Sequence, residues 1–523
     1  MAIDKRCTAA EAVELIRDGD SIVASGFMWS TVGHELMYAL GERFKKEGHP
    51  RDISFMQAAG LGNNTDQGVA EMTYEGLIKR YVTGHFANNQ KMIQLANEQK
   101  IESYNFPQGV IAHMYRAAAG KKVGEITKVG LNTYVDPRYG GGKMNDCTKE
   151  DLVELIEIHG EEYLLYKAPK FDIGFIRGTT SDEYGNITME EESAFIDALD
   201  VAMAVKANGG KVFVQVKNYV SSKSLDRSQV IIPGIFVDKI VLCSNPEYFH
   251  RQTPKEVYNP VISGHYQVES MPFETIPLSA KKVIARRAAL EYIPDSVINL
   301  GIGIPEGIAA VMNEEGLGDK LVFTIESGLI GGVPLGKDCF GSAVNSWAAL
   351  PMNAQFDFYD SGGLEATYLG FAEVGPEGDV NASKFGEHLA GCGGFIDLVH
   401  ATKKVYFCGT FTAGGLKTKV DGGKLIIEQE GRNIKFRKDI MQKTFSGKDS
   451  FKKGMRVQYI TERCVLELAE SGLILTEIAP GIDMENDIFA HMEFKPSVAE
   501  NLKVMDARLF KDELMNLKED TRR

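Results

Sequence analysis

Short apolar runs rich in β-branched residues alternate along this chain with amphipathic stretches and glycine-rich turns. Ser21-Ile22-Val23, Ile53 to Met56, Ile173-Gly174-Phe175-Ile176, Lys211 to Val216 and Lys239 to Leu242 are runs of this kind. Runs of this length and composition predict strands buried on both faces, as in a parallel sheet. Between them, other stretches carry helical patterns. Thr8 with Glu11 three residues on predicts a capped helix from Thr8 to Arg17. Lys149 to Glu157 and Ser279 to Tyr292 predict further helices. The rhythm is that of βαβ units. The fold class it predicts is α/β, with mainly parallel sheets flanked by helices.

The pattern also repeats. A capped helix leads into Asp20-Ser21-Ile22-Val23-Ala24-Ser25-Gly26, and another into Asp295-Ser296-Val297-Ile298-Asn299-Leu300-Gly301. At a constant offset of 193 residues, the turn and strand of Asp182 to Ile187 match Gly375 to Val380, and Lys211-Val212-Phe213-Val214 matches Lys404-Val405-Tyr406-Phe407. The shared order of these matches predicts two topologically similar α/β domains. Their expected bounds are 1–255 and 279–523, joined by a polar connection over 256–278. A chain of 523 residues is too long for one ordinary core, which agrees with two.

Candidate chemistry concentrates in the loops. Glu326 stands in Thr324-Ile325-Glu326-Ser327-Gly328, where the apolar run from Leu321 to Ile325 gives way to a glycine turn. Loops at the carboxyl ends of parallel strands are where α/β proteins place ligands. A carboxylate there could be a nucleophile, a base, a metal ligand or a cap. The corresponding segment of the first half is Ala58-Ala59-Gly60-Leu61-Gly62, without a carboxylate. A structural role common to both halves would not place the acid in only one, which favours function for Glu326. Asn299 to Gly307, with Gly301, Ile302 and Gly303 at its centre, could bring backbone close to a ligand and offer amides to an anion, or could be a structural turn. Gly391-Cys392-Gly393-Gly394-Phe395-Ile396-Asp397 could wall a narrow ligand channel, or turn tightly before a strand. Phe106-Pro107-Gln108-Gly109 holds a neutral amide in a constrained turn, placed either to stabilise an oxyanion or to satisfy loop carbonyls.

Composition removes several function classes. The net charge of −14 argues against nucleic acid, which needs a basic footprint. Any anionic ligand must be held by backbone amides and local cations. No apolar run is long enough to span a bilayer, and the first twenty residues lack a secretory apolar core. Seven cysteines without a Cys-x-x-Cys pair suit a reducing, cytoplasmic setting. The ten histidines are scattered and no His-Glu-x-x-His occurs, so no metal centre is expected. Lys281-Lys282 and Arg286-Arg287 on a predicted helix are expected to be a solvated face.

Together these motifs resemble the class I coenzyme A transferases, and nearly the whole chain shares in the resemblance. Further stretches that carry it are Val135-Asp136-Pro137-Arg138, Phe407 to Gly415, Tyr459 to Arg463 and Glu477 to Gly481. The similarity is to the single-chain propionate and acetate CoA-transferases, with both domains fused. It implies the CoA-transferase fold and ping-pong transfer of coenzyme A from a short-chain acyl-CoA to an acceptor carboxylate. The intermediates would be an acyl-glutamyl anhydride and a glutamyl-CoA thioester. By resemblance, Glu326 is the nucleophile and Gln108 the oxyanion donor. Gly301, Ile302, Gly303, Gly391 and Gly394 line the CoA channel, and Phe27, Met28 and Trp29 are candidates for the acyl pocket. Coenzyme A enters as substrate, with no permanently bound cofactor and no metal. Partners are acyl-CoA and small carboxylic acids, with a homo-oligomer, tetramer or dimer, implied. An acyl-CoA hydrolase on the same fold and a non-catalytic CoA-binding protein are the competing readings.

Overall fold

The computed structural model describes residues 4–63, 65–87, 89–221, 224–269 and 275–520. Of the connection expected at 256–278, residues 270–274 lie outside the described residues. The chain forms two compact units, neither continuous in sequence. The first comprises Met1–Val268, Ile325–Asp357 and Gly386–Asp397; the second comprises Glu269–Thr324, Phe358–Phe385 and Leu398–Arg523. The segment that carries Glu326 therefore belongs to the first unit, although it lies beyond the connection in sequence.

The first unit is built on a parallel sheet. Its strands run in the spatial order Arg6–Cys7, Lys239–Leu242, Lys211–Val216, Ile173–Arg177, Ser21–Ala24, Ile53–Gln57, Ile78–Thr83 and Glu102–Asn105. Every neighbouring pair is parallel. Ile22, Val23, Phe55, Phe175, Val212, Phe213 and Val214 are buried, so adjacent residues on opposite faces are both covered. Helices flanking a parallel sheet on both sides produce that pattern. Helices His34–Glu47, Gln108–Ala119 and Ala198–Ala207 belong to this unit. The predicted N-terminal helix is present with its capping box, Thr8 accepting from the Glu11 amide, but it is shorter than expected and spans Ala9–Val13.

Lys149 to Glu157 does not form the expected helix. Val153–Ile158 is a strand, antiparallel to Glu161–Lys167, which also pairs with Gly124–Thr127. The joining residues His159 and Gly160 both have positive φ, 54° and 80°, the geometry of a two-residue hairpin turn.

In the second unit the main sheet includes, in order, Leu321–Thr324, Ser296–Leu300, Ala366–Leu369, Lys404–Cys408 and Arg456–Ile460, all parallel, continuing into Cys464–Ala469, Gly472–Ile478 and Ser497–Val504. Numbering the five parallel strands by their order in the chain gives the spatial order 5-4-3-1-2. The strands beginning at Ser21, Ile53, Ile173, Lys211 and Lys239 have the same spatial order in the first unit. The two topologies therefore agree over these five strands, including both members of the Lys211 and Lys404 correspondence.

The basic cluster is not a solvated face. Lys282, Arg286 and Arg287 are buried on helix Ala280–Ala289. Lys282 pairs with Glu314 at 2.8 Å and Arg287 with Glu477 at 2.7 Å, while Arg286 donates to the carbonyls of Arg508 and Glu513. These cations are consumed by internal partners, because a buried charge is tolerated only when paired. Among the described residues, no helix is long and apolar enough to cross a membrane.

Candidate active site

After strand Leu321–Thr324 the chain turns sharply. The amide of Ile325 donates to the Leu329 carbonyl and that of Gly328 to the Ile325 carbonyl, both at 2.9 Å. Gly328 has a φ of 108°, and a Cβ there would lie 2.0 Å from the Leu350 carbonyl oxygen. Only glycine fits both constraints. The Ser327 hydroxyl donates to the Gly341 carbonyl at 2.7 Å and ties the turn to the following segment. Glu326, at the apex of this turn, is 6% exposed.

Two glycines bring backbone against this acid. A Cβ on Gly394 would lie 3.0 Å from Glu326 Cγ and 3.3 Å from Phe356 Cζ. A Cβ on Gly109 would lie 2.4 Å from Phe356 Cδ1 and 2.6 Å from Asp397 Oδ1. The Phe356 ring thus packs against both Gly109 and Gly394, of which the first also meets Asp397 and the second Glu326. Gln108, next to Gly109, opens helix Gln108–Ala119 directly after strand Glu102–Asn105 and the Phe106-Pro107 turn. Its side chain is buried, and its Nε2 sits 3.6 Å from Met352 Sδ. A thioether sulfur is a weak acceptor, so this donor can turn to a stronger one.

The glycine segment is fixed by main-chain bonds to the first unit's strand ends. Gly393 accepts from the Gln108 amide at 2.9 Å and donates to the Gly84 carbonyl at 2.6 Å. The Cys392 amide donates to Asn105 Oδ1 at 2.9 Å. Asn105 donates in turn to the carbonyls of Thr83 and Gly84 and accepts from the Tyr134 hydroxyl. Gly391 has a φ of 80°, and a Cβ there would meet the Gly84 carbonyl at 2.7 Å. Burial raises the Cys392 thiol well above its ordinary pKa, which keeps it protonated. His85 follows Gly84; burial lowers its pKa to about 4, so its imidazole is neutral.

The loop of Phe27, Met28 and Trp29 joins the same unit. Asp197 anchors its start, accepting from Ser25 Oγ at 2.7 Å and from the Gly26 amide at 3.3 Å. Phe27 and Ser30 exchange main-chain bonds, and Met28 and Thr31 have φ of 54° and 61°, a strained arrangement for non-glycine residues. Phe27 packs on Gly341 and, at a centroid distance of 5.9 Å, on Phe340; Ser30 Oγ lies 3.3 Å from Ser342 Oγ. The loop therefore rests on the segment that Ser327 anchors. Trp29 is buried with its ring centroid 4.5 Å from that of His34. Gly301, Ile302 and Gly303 belong to the second unit, directly after strand Ser296–Leu300. Ile302 there is 48% exposed, and Gly303 has a φ of 91°.

Comparison with known proteins decides the family. A family profile described as Coenzyme A transferase matches residues 6–242. The acetate CoA-transferase YdiF of Escherichia coli K12 is 43% identical over 512 residues, covering 97% of this chain and 95% of that protein. The chain belongs to the coenzyme A transferase family. A caffeate CoA-transferase of Acetobacterium woodii is 40% identical over 513 residues, covering 97% of this chain and 98% of the relative. The crystal structure of YdiF from Escherichia coli O157:H7, titled a thioester complex with CoA, superimposes with a TM-score of 0.93 at 42% identity, over 98% of this chain and 97% of that one. The protein is accordingly an acyl-CoA:carboxylate CoA-transferase.

Several residues of this candidate site carry no sequence signal of their own. Phe356 is an ordinary apolar position on helix Met352–Asp360, and Met352 opens the same helix. Asn105 ends one parallel strand and Gly84 follows the end of its neighbour at Thr83, and only the strand pairing shows that they meet. Asp397 closes the Gly391 to Asp397 motif, yet the glycines before it account for the motif equally well.

Proposed function

We propose that this transferase works by a ping-pong route with Glu326 as the covalent nucleophile, acting on short-chain acyl-CoA of the acetate or propionate type. The ionised Glu326 carboxylate attacks the acyl-CoA carbonyl, expelling the CoA thiolate and leaving an acyl-glutamyl anhydride. The thiolate then attacks the glutamyl carbonyl. This releases the first carboxylate and leaves a glutamyl-CoA thioester. An acceptor carboxylate runs the two steps in reverse, so bonds and charge balance without added proton or oxidant. Each step is easier than direct exchange, and the thioester's energy is retained. The Gln108 amide leaves Met352 Sδ for the oxyanion that forms in each addition. One such donor is worth about 3 kcal/mol of barrier.

The observation that carries this reading is the packing of Glu326 against glycine backbone beside the Gln108 helix, inside one compact unit. A buried acid with backbone on one side leaves a narrow approach for an extended substrate. The relatives named for acetate and for caffeate make acyl size the property to measure first.

The test is to incubate the protein with acetyl-CoA, reduce with borohydride and map the modified peptide by mass. Reduction of the thioester turns the Glu326 side chain into an alcohol. A label on another residue, or full turnover by Glu326→Gln, overturns the proposal. CoA release without any added carboxylate would assign the protein to hydrolysis instead.

A further inference from the structure

The first turn of helix Gln108–Ala119 has an unusual set of partners. The first amides of a helix have no acceptor within it and must find one elsewhere. The residue before it, Pro107, provides no side-chain cap. The Gln108 amide donates to the Gly393 carbonyl at 2.9 Å, and the Gly109 amide donates to Asp397 Oδ2 at 3.2 Å. The Val110 amide favours the charged form of the same carboxyl, and Ile111 bonds back to the Pro107 carbonyl at 3.0 Å. The Gly109 amide thus depends on one side chain almost three hundred residues away. That side chain is fully buried, and its Oδ1 has no hydrogen-bond partner among the described residues. The absence of a side chain at Gly109 is what permits the approach.

We propose that Asp397 is a positioning residue: it caps the Gln108 helix from a distant segment and thereby holds the Gln108 amide where the oxyanion forms. This rests on the reading of Gln108 as the oxyanion donor. The conformation of Gln108 follows from that of the turn it begins. A turn whose buried Gly109 amide lost its acceptor would shift or fray, and an oxyanion donor is effective only within a narrow range of distance. Burial, with the nearby Glu326 charge, raises the Asp397 pKa to about 8. The other titratable groups facing it are Cys392 and Tyr134, both held neutral by burial. The protonated form of Asp397 is therefore favoured. In that form it accepts from the Gly109 amide through one oxygen while adding no negative charge beside Glu326 or the oxyanion. Asparagine has the same shape and the same acceptor.

The test compares kcat, KM for acetyl-CoA and the rate of borohydride-trappable thioester formation in Asp397→Asn, Asp397→Ala, Gln108→Ala and the Asp397→Ala/Gln108→Ala double variant, with melting curves for each. Asp397→Ala is expected to lower kcat by about 10- to 100-fold with KM within about threefold, since misplacing a catalytic group by ~1 Å costs on this scale. Asp397→Asn should restore kcat to within about threefold of the native enzyme at pH 7, and the double variant should be within about threefold of Gln108→Ala alone, because both changes remove the same interaction. Above about pH 8 the native kcat should fall as Asp397 ionises, and that of Asp397→Asn should not. The proposal is overturned if Asparagine fails to rescue, if the Asp397→Ala loss persists undiminished without Gln108, or if Asp397→Ala is as active as the native enzyme. If Asp397→Ala does not fold, rescue and the pH profile of Asp397→Asn decide alone. Native kcat in Gln108→Ala would instead remove the oxyanion reading itself, a result distinct from those three.

Discussion

Gly394→Ala isolates the steric fit around Glu326. The backbone there is not in the left-handed region, so alanine introduces no strain of that kind. Its methyl carbon would lie 3.0 Å from Glu326 Cγ and 3.3 and 3.4 Å from two carbons of the Phe356 ring. Comfortable contact between carbons is about 3.5–4.0 Å, so Glu326 must withdraw by roughly 0.5–1 Å or the glycine segment must yield. The second option is limited, because Gly393 is held on both sides by main-chain bonds of 2.9 and 2.6 Å. Crowding of this kind costs about 1–3 kcal/mol. Displacing a nucleophile by ~1 Å lowers the rate by as much as 10²-fold. The expected outcome is a 30- to 100-fold lower rate of thioester formation (about 2–3 kcal/mol in barrier), with the melting temperature lowered only slightly. Rapid quench into borohydride, followed by quantification of the modified Glu326 peptide, measures that rate directly. Gly120→Ala is the control, since its Cβ would meet nothing closer than 3.6 Å. A Gly394→Ala variant that forms the thioester within about threefold of the native rate would refute the packing argument.

Gly328→Ala should be far more damaging, because it adds a positive-φ strain to a backbone contact of 2.0 Å; we expect a loss exceeding about 3 kcal/mol in urea unfolding, and native stability would contradict the turn geometry. Glu71 offers a test of pH-linked stability. Burial raises its pKa to about 8 from an ordinary 4.5, so the folded state favours its protonated form. That contribution is complete below the unfolded pKa and is lost as pH rises toward 8, on the order of a few kcal/mol in all. Glu71→Gln should therefore melt higher than the native protein at pH 8.5, with a gain that shrinks toward pH 5; a gain independent of pH would show that Glu71 does not titrate in this range.

The strands were the most legible part of the molecule. Lys211–Val216 and Lys239–Leu242 occur with the bounds that their apolar runs predict, since a central parallel strand must be apolar on both faces. Lys149 to Glu157 misled because Val153, Leu155, Ile156 and Ile158 fit a helical and a half-buried strand period about equally well; the deciding signal was the His159-Gly160 turn that follows. The basic helix misled for another reason. Lys282 and Arg287 find Glu314 and Glu477 across the fold, and a charge pattern read locally has no access to such partners. At the site, a carboxylate and flanking glycines stand out as residue types. The Phe356 ring that spaces them and the Asp397 carboxyl that caps the helix do not, because their placement depends on three separated segments meeting in one unit.

That discontinuity has a bearing on synthesis. The eight strands of the first sheet are all present once residue 242 has emerged, so this sheet can form while the chain is still being made. The segments 325–357 and 386–397 come later, after excursions through the other unit. At bacterial or eukaryotic translation speeds the delay from residue 242 to Asp397 is roughly ten to thirty seconds. Until residue 356 is made the Gly109 face of the helix lacks the Phe356 ring, and until residue 397 its distant cap. A ribosome-bound intermediate of this protein would therefore hold a formed sheet with the Gly109 corner still open, and an arrest between residues 268 and 325 would leave that corner uncovered.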